Sequence, residues 1–168
     1  GHGREDILDD VDLSRTIGWF TTIYPVLLTP GAGASTRDDL RTIKEQLRQL
    51  PNHGIGYGLL RYLSQGQEQI SRLRDLPRAE IIFNYLGQLD QIFRDDTSSF
   101  ALANDGVGKS RSELGRRKYL IEIDGAVRDG RLQMEWVYSD ELHAQQTIEA
   151  VAESFIRRLR KLIEHCVL

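Results

Sequence analysis

Residues 119–138 read YLIEIDGAVRDGRLQMEWVY. Tyr119, Ile121 and Ile123 alternate with other residues on one arm; Leu132, Met134, Trp136 and Tyr138 alternate on the other. A period of two is the pattern of half-buried strands. Asp129-Gly130, between the arms, is a pair suited to a tight hairpin turn. The stretch therefore predicts a β-hairpin over 118–138. Working outward, the C-terminal side predicts a helix from about 141 to 165, with Ile148, Val151, Ala152, Phe155, Leu159, Leu162, Ile163 and Cys166 as its apolar stripe. Arg157, Arg158, Arg160 and Lys161 place positive charge toward its C-terminal end, where the helix dipole favours it.

On the N-terminal side, Ile81-Ile82-Phe83-Asn84-Tyr85 reads as a buried strand. Between it and the hairpin, residues 87–117 lack periodicity and are rich in Asp, Ser, Gly and Asn. A loop of that length inside a domain is often functional. Residues 51–58 are glycine-rich, and 57–64 carry leucines at helical spacing. Leu40, Ile43, Leu47 and Leu50 predict a helix that Pro51 ends, with Thr36 as its N-cap and Asp39 three residues on. Residues 15–28 are β-branched and aromatic and predict a strand interrupted by Pro25. Together these elements predict an α/β fold: one mixed β-sheet packed with helices.

The composition narrows the function classes. The chain has 168 residues, a formal charge of −3 and 40% apolar residues. That suits one domain or one large lobe, and it lacks the basic excess of a nucleic-acid binder. A single cysteine, Cys166, rules out an internal disulfide and a cysteine metal cluster, and fits a cytoplasmic setting. No apolar run approaches the roughly 20 residues of a membrane span. Asp9-Asp10 and Asp95-Asp96 stand without accompanying histidines, so no metal site is expected.

Four segments say more than periodicity does. Gly1-His2-Gly3-Arg4-Glu5 resembles the end of the motif EGHGRE. Arg15-Thr16-Ile17-Gly18-Trp19-Phe20-Thr21, with Tyr24-Pro25, resembles RTVGWFTxxYP. Pro51 to Gly58 matches PxxGxGYG, and Phe83-Asn84-Tyr85-Leu86-Gly87 matches FNYLG. In this order and at these gaps, they resemble the C-terminal lobe of the epimerization domain of nonribosomal peptide synthetases, in the condensation-domain and chloramphenicol acetyltransferase-like superfamily.

The resemblance implies one lobe of a two-lobed fold, over residues 1–168, with 87–117 as a loop bridging toward the other lobe. It implies an isomerase that interconverts L and D at Cα of a carrier-bound aminoacyl or peptidyl thioester. The implied partners are a peptidyl carrier protein, which delivers the substrate on its phosphopantetheine arm, and the N-terminal lobe of the same domain. No cofactor is expected to be bound by this chain itself. The proton-transfer groups of the family are the second His of HHxxxDG and the Glu that opens EGHGRE. The four histidines here, His2, His53, His143 and His165, are isolated, and the chain begins at the Gly after that Glu. The 168 residues alone are therefore expected not to epimerize.

Asn84 and Tyr85 are the candidate catalytic residues, in supporting roles. Removing a thioester Cα proton needs a positioned base and a group to hold the enolate oxygen. Asn84 could supply an amide donor or orient the base, or it could merely satisfy backbone at a strand end. Tyr85 could offer its hydroxyl or serve as core with a wet tip. Arg15, His2 and Trp19 are the candidate substrate-side residues. Against that, Arg15 could be an ordinary surface arginine, Trp19 core packing, and His2 part of a cloning remnant. Gly54, Gly56 and Gly58 are expected to allow close backbone approach or positive φ. Arg116-Arg117-Lys118 could meet an acidic carrier protein or be a hydrated strand start. Two readings from other classes stand beside the epimerase lobe: a binding module for a carrier protein or partner lobe, and a condensation-type acyl transfer fragment. A lobe without its partner is expected to self-associate through exposed apolar surface or a free strand edge.

Overall fold

A computed structural model describes residues 10–18, 20–31, 35–65, 67–89, 108, 112 and 115–167. The chain divides into two units, Gly1–Arg78 with Arg158–Leu168, and Ala79–Arg157.

Among its described residues the first unit holds three short helices and the C-terminal part of a longer one. Helix α1 runs Thr36–Arg48, with Ser35 as its N-cap. Asp38 completes a capping box with Ser35, and Asp38 and Asp39 sit where the dipole favours them. The expected cap at Thr36 with Asp39 is thus displaced by one residue: Ser35 has the extended backbone a cap needs, and Thr36 is already helical. Pro51 opens a 3-10 turn, Pro51–Gly54, which leads into helix α2, Ile55–Gly58, and a π turn, Leu59–Leu63. Helix α3, Gln67–Asp75, follows; the apolar pattern predicts no element there.

The strand expected over 15–28 does not form; the described residues of that stretch have no regular structure. Pro25 has no N–H to give a ladder. The backbone of Thr29 is met by a side chain instead. Gln46 of α1 accepts from the Thr29 N–H at 3.0 Å and donates to the Thr29 carbonyl at 2.7 Å. One carboxamide thus satisfies both backbone groups that a neighbouring strand would otherwise take.

The second unit is built on a three-stranded sheet in the order β1-β2-β3. The strands are β1, Ile81–Gln88; β2, Ile121–Arg128; and β3, Arg131–Tyr138. β1 pairs parallel with β2, and β2 pairs antiparallel with β3, so the sheet is mixed as expected. Asp129 and Gly130 close the hairpin with φ of 51° and 68°. Positive φ at both central residues is the turn whose twist matches the flanking strands.

The register sorts the side chains into two faces. Phe83 aligns with Ile123, which aligns with Trp136; Tyr85 aligns with Gly125, which aligns with Met134. Helix α4, Gln145–Val167, lays Phe155 edge-on against Trp136, with ring centroids 6.0 Å apart. Ile123 and Ile148 are buried. The helix begins four residues later than the pattern suggests, because 140–143 form a turn.

The apolar run of β1 predicts a buried strand, and the strand is not buried. Ile81, Phe83 and Tyr85 are each about half exposed. A continuous apolar run signals a strand covered on both faces, but here burial concentrates on the central strand β2 and β1 lies at an edge. Of the expected bridging loop at 87–117, β1 takes Gly87 and Gln88, and most of the remainder lies outside the described residues.

Candidate functional site

Asn84 projects from the middle of β1, and Asp124 from the aligned position of β2. Neighbours in a parallel pair share a face, so their side chains meet. The Asn84 amide nitrogen donates to Asp124 Oδ1 at 3.1 Å. Asp124 in turn aligns with Glu135 on β3, which gives this face a polar row across all three strands. The row lies next to an irregularity: the β1–β2 register shifts between Tyr85 and Gln88, and Gly87 has φ of 82°. A Cβ at Gly87 would meet nothing within 4 Å. The glycine of FNYLG is therefore needed for its backbone angle rather than for space. A bulge of this kind re-aims the end of a strand, and bulges gather beside functional sites.

Tyr85, the next residue, lies on the opposite face. Its ring is beside Gly125, where an added Cβ would stand 3.4 Å from Tyr85 Cδ2 and 2.8 Å from Met134 Sδ. The two candidate catalytic residues are thus brought to one strand but not to one face of it. Arg15 belongs to the first unit, is exposed, and makes no hydrogen bond or ion pair among the described residues. His2 and Trp19 lie outside the described residues.

The PxxGxGYG segment has a visible structural reason at its first glycine. Gly54 has φ of 81°, and a Cβ there would fall on the ring of Tyr24, the tyrosine of the YP pair. Gly56 and Gly58 have open space and no positive φ, so the expectation holds at Gly54 alone. Tyr57 accepts a hydrogen bond from Arg61 Nη1 at 3.1 Å, and the same nitrogen donates to the Leu73 carbonyl of α3 at 3.2 Å. The guanidinium lies 5.9 Å from the Tyr57 ring centroid and 5.8 Å from that of Tyr62, within cation–π range.

Arg117 is engaged by the sheet. It donates to the Val137 carbonyl at 2.8 Å and lies 3.8 Å from Glu122, a buried carboxylate on β2. Lys118 sits 5.3 Å over the Tyr119 ring. Among the described residues no group of three His, Cys, Asp or Glu side chains could hold a metal ion, and no helix is long and apolar enough to cross a membrane.

Sequence reasoning misses Asp124. The alternation of Ile121 and Ile123 already puts residue 124 on the other face, but only the parallel pairing of β1 with β2 puts it beside Asn84.

Comparison with known proteins bears on this arrangement. The family model described as the condensation domain matches residues 1–168. A linear gramicidin synthase of Brevibacillus parabrevis is 47% identical over 165 residues, covering 98% of this chain and 2% of that protein. Chondramide synthase cmdD of Chondromyces crocatus is 45% identical over 168 residues, covering 99% of this chain and 4% of that protein. Among solved structures, the epimerization domain from the third module of tyrocidine synthetase B superposes with a TM-score of 0.84 at 39% identity. That match covers 99% of this chain and 36% of the solved chain. The chain therefore spans a few per cent of these curated relatives and about a third of the solved domain.

Proposed function

The chain belongs to the condensation-domain family, and from that membership we propose that it is the C-terminal lobe of a peptide synthetase epimerization domain. The reaction is inversion at Cα of an aminoacyl or peptidyl thioester, which a peptidyl carrier protein presents on its phosphopantetheine arm. The observation that carries the reading is the likeness to a solved epimerization domain over 99% of this chain at 39% identity. The FNYLG segment supports it: it forms a strand, places Asn84 on a polar face, and ends in a bulge at its glycine.

In this reading a base removes the Cα proton, and charge develops on the thioester oxygen. Asn84 helps to hold that oxygen or the base, because a fixed amide dipole needs no reorganisation as the charge forms. Tyr85, on the other face, contributes to the packing around Gly125 and Met134. The 168 residues contain no adjacent pair of histidines, so proton transfer requires groups beyond them. The lobe by itself does not epimerize. The N-terminal lobe is the expected source of the histidine, and the half-exposed Ile81, Phe83 and Tyr85 are consistent with surface meant for a partner.

The test is washout of a Cα label from a loaded carrier protein. A two-lobed domain containing this chain is expected to release the label to solvent, while the 168 residues alone release none. Peptide bond formation without washout would favour condensation-type acyl transfer instead. Carrier binding by the 168 residues with no washout in the two-lobed form would favour a docking module.

A further inference from the structure

Asp124 is a costly choice for the fold. It stands directly opposite Glu135 in the antiparallel pair, and like charges in that arrangement destabilise a sheet. A neutral residue would serve the ladder at least as well. What Asp124 adds is the hydrogen bond from Asn84, 3.1 Å long and partly buried. A carboxylate only accepts, so it can meet only the nitrogen end of the Asn84 carboxamide. One N–H of Asn84 is committed to Asp124. One N–H and the whole of Oδ1 are left for other groups. Without Asp124 the amide could turn over and exchange its donor for its acceptor.

We propose that Asp124 is a positioning residue which fixes the amide orientation of Asn84, and so determines which edge of that side chain the thioester substrate meets. This rests on the reading of the chain as part of an epimerization domain. Asp124 itself does not touch the substrate. Its removal should therefore lower turnover rather than substrate affinity, and should matter only while Asn84 is present.

The experiment uses a two-lobed epimerization domain containing this chain, with Cα label washout and Asn84 side-chain amide NMR as parallel readouts. Asp124→Ala is expected to lower kcat about tenfold with KM little changed, the size of effect a misoriented group produces. Its thermal midpoint is expected to hold or rise, because a like-charge contact is lost. Asp124→Asn retains an acceptor oxygen and is expected to recover most of the rate. In an Asn84→Ala background, Asp124→Ala is expected to cost nothing further. The NMR readout stands apart from turnover: the Asn84 Nδ2 proton signals should shift and broaden in Asp124→Ala and stay near wild type in Asp124→Asn. An equal loss of rate with and without Asn84, or Asn84 amide signals indifferent to Asp124→Ala, would overturn the proposal. No washout from the wild-type domain, with the NMR response intact, would overturn the epimerase reading and leave Asp124 as the residue that orients Asn84.

Discussion

Gly54 and Tyr24 occupy the same small space: a Cβ on the glycine would overlap the tyrosine ring. Two sequence motifs, some thirty residues apart, are thereby reduced to one steric fact. Gly54 also has φ of 81°, where an L-residue is strained. Gly54→Ala combines a left-handed backbone cost of about 1–2 kcal/mol with an overpacking cost of about 1–3 kcal/mol. The expected loss is about 3 kcal/mol, read as reduced hydrogen-exchange protection around 51–63. Adding Tyr24→Ala should recover only the steric part, because the backbone angle is unaffected. Full recovery would show that the angle costs nothing.

The two residues before Gly54 test the same backbone from the other side. Asn52 and His53 have φ of 46° and 50°. Asparagine tolerates this region best and histidine less well, and only glycine occupies it without a Cβ cost. His53→Gly is expected to stabilise the turn by about 1 kcal/mol, and Asn52→Gly by less. Urea denaturation followed by far-UV circular dichroism measures both. Destabilisation by His53→Gly would mean that the contacts of the imidazole outweigh the strain.

Much of this fold is legible in the residues, and the parts that are not share a cause. The hairpin is readable because Ile121, Ile123, Leu132, Met134 and Trp136 carry their own period, and Asp129-Gly130 encodes the turn locally. The start of helix α1 is readable to within a residue for the same reason, and its end to within two. The segment 15–28 misleads because a β-branched composition describes what a strand tolerates, not whether a neighbour exists to pair with it. Its backbone finds Gln46 instead, through the adjoining Thr29. Asn84 is found through its motif, whereas Asp124 is missed because pairing between β1 and β2 is a long-range fact. The separation of Asn84 from Tyr85 follows from strand alternation alone once β1 is known to be regular through both.

Glu122 is the buried carboxylate of the sheet, and Arg117 is the cation beside it. Taking the arginine away leaves the carboxylate less compensated and also removes a donor to the Val137 carbonyl. Arg117→Met is therefore expected to destabilise the second unit by about 2–3 kcal/mol. The double variant Arg117→Met with Glu122→Gln should lose less than Arg117→Met alone, since the charge is then gone. Additive losses would show that the two residues act independently.

β1 is an edge strand with Ile81, Phe83 and Tyr85 about half exposed. Such an edge is a template for association. The 168 residues alone are expected to self-associate with rising concentration, as measured by light scattering, and Phe83→Lys should shift the population toward monomer. A concentration-independent monomer before substitution would contradict this. In the two-lobed domain the same substitution should instead weaken the assembly, if that surface is covered by the other lobe.

The cap of α1 makes a prediction about pH with a definite sign. Asp38 accepts from Ser35 Oγ at 2.7 Å and from the Ser35 N–H at 3.2 Å. The side-chain hydrogen bond is the larger cause holding its carboxyl below the ordinary 3.8; the backbone bond comes next, and Arg37 and Arg41 add to it. A carboxyl with a lowered value in the folded state stabilises the helix start fully above its unfolded value. That stabilisation is lost as pH falls through the lower folded value. Carbon-13 titration of the Asp38 carboxyl should therefore give a midpoint below 3.8, and Ser35→Ala should move it upward. Ser35→Ala should also cost about 1 kcal/mol at neutral pH, where the cap is complete. An unmoved midpoint in Ser35→Ala would assign the depression to the Ser35 N–H and the neighbouring arginines, of which only the arginine part would collapse on raising the salt concentration.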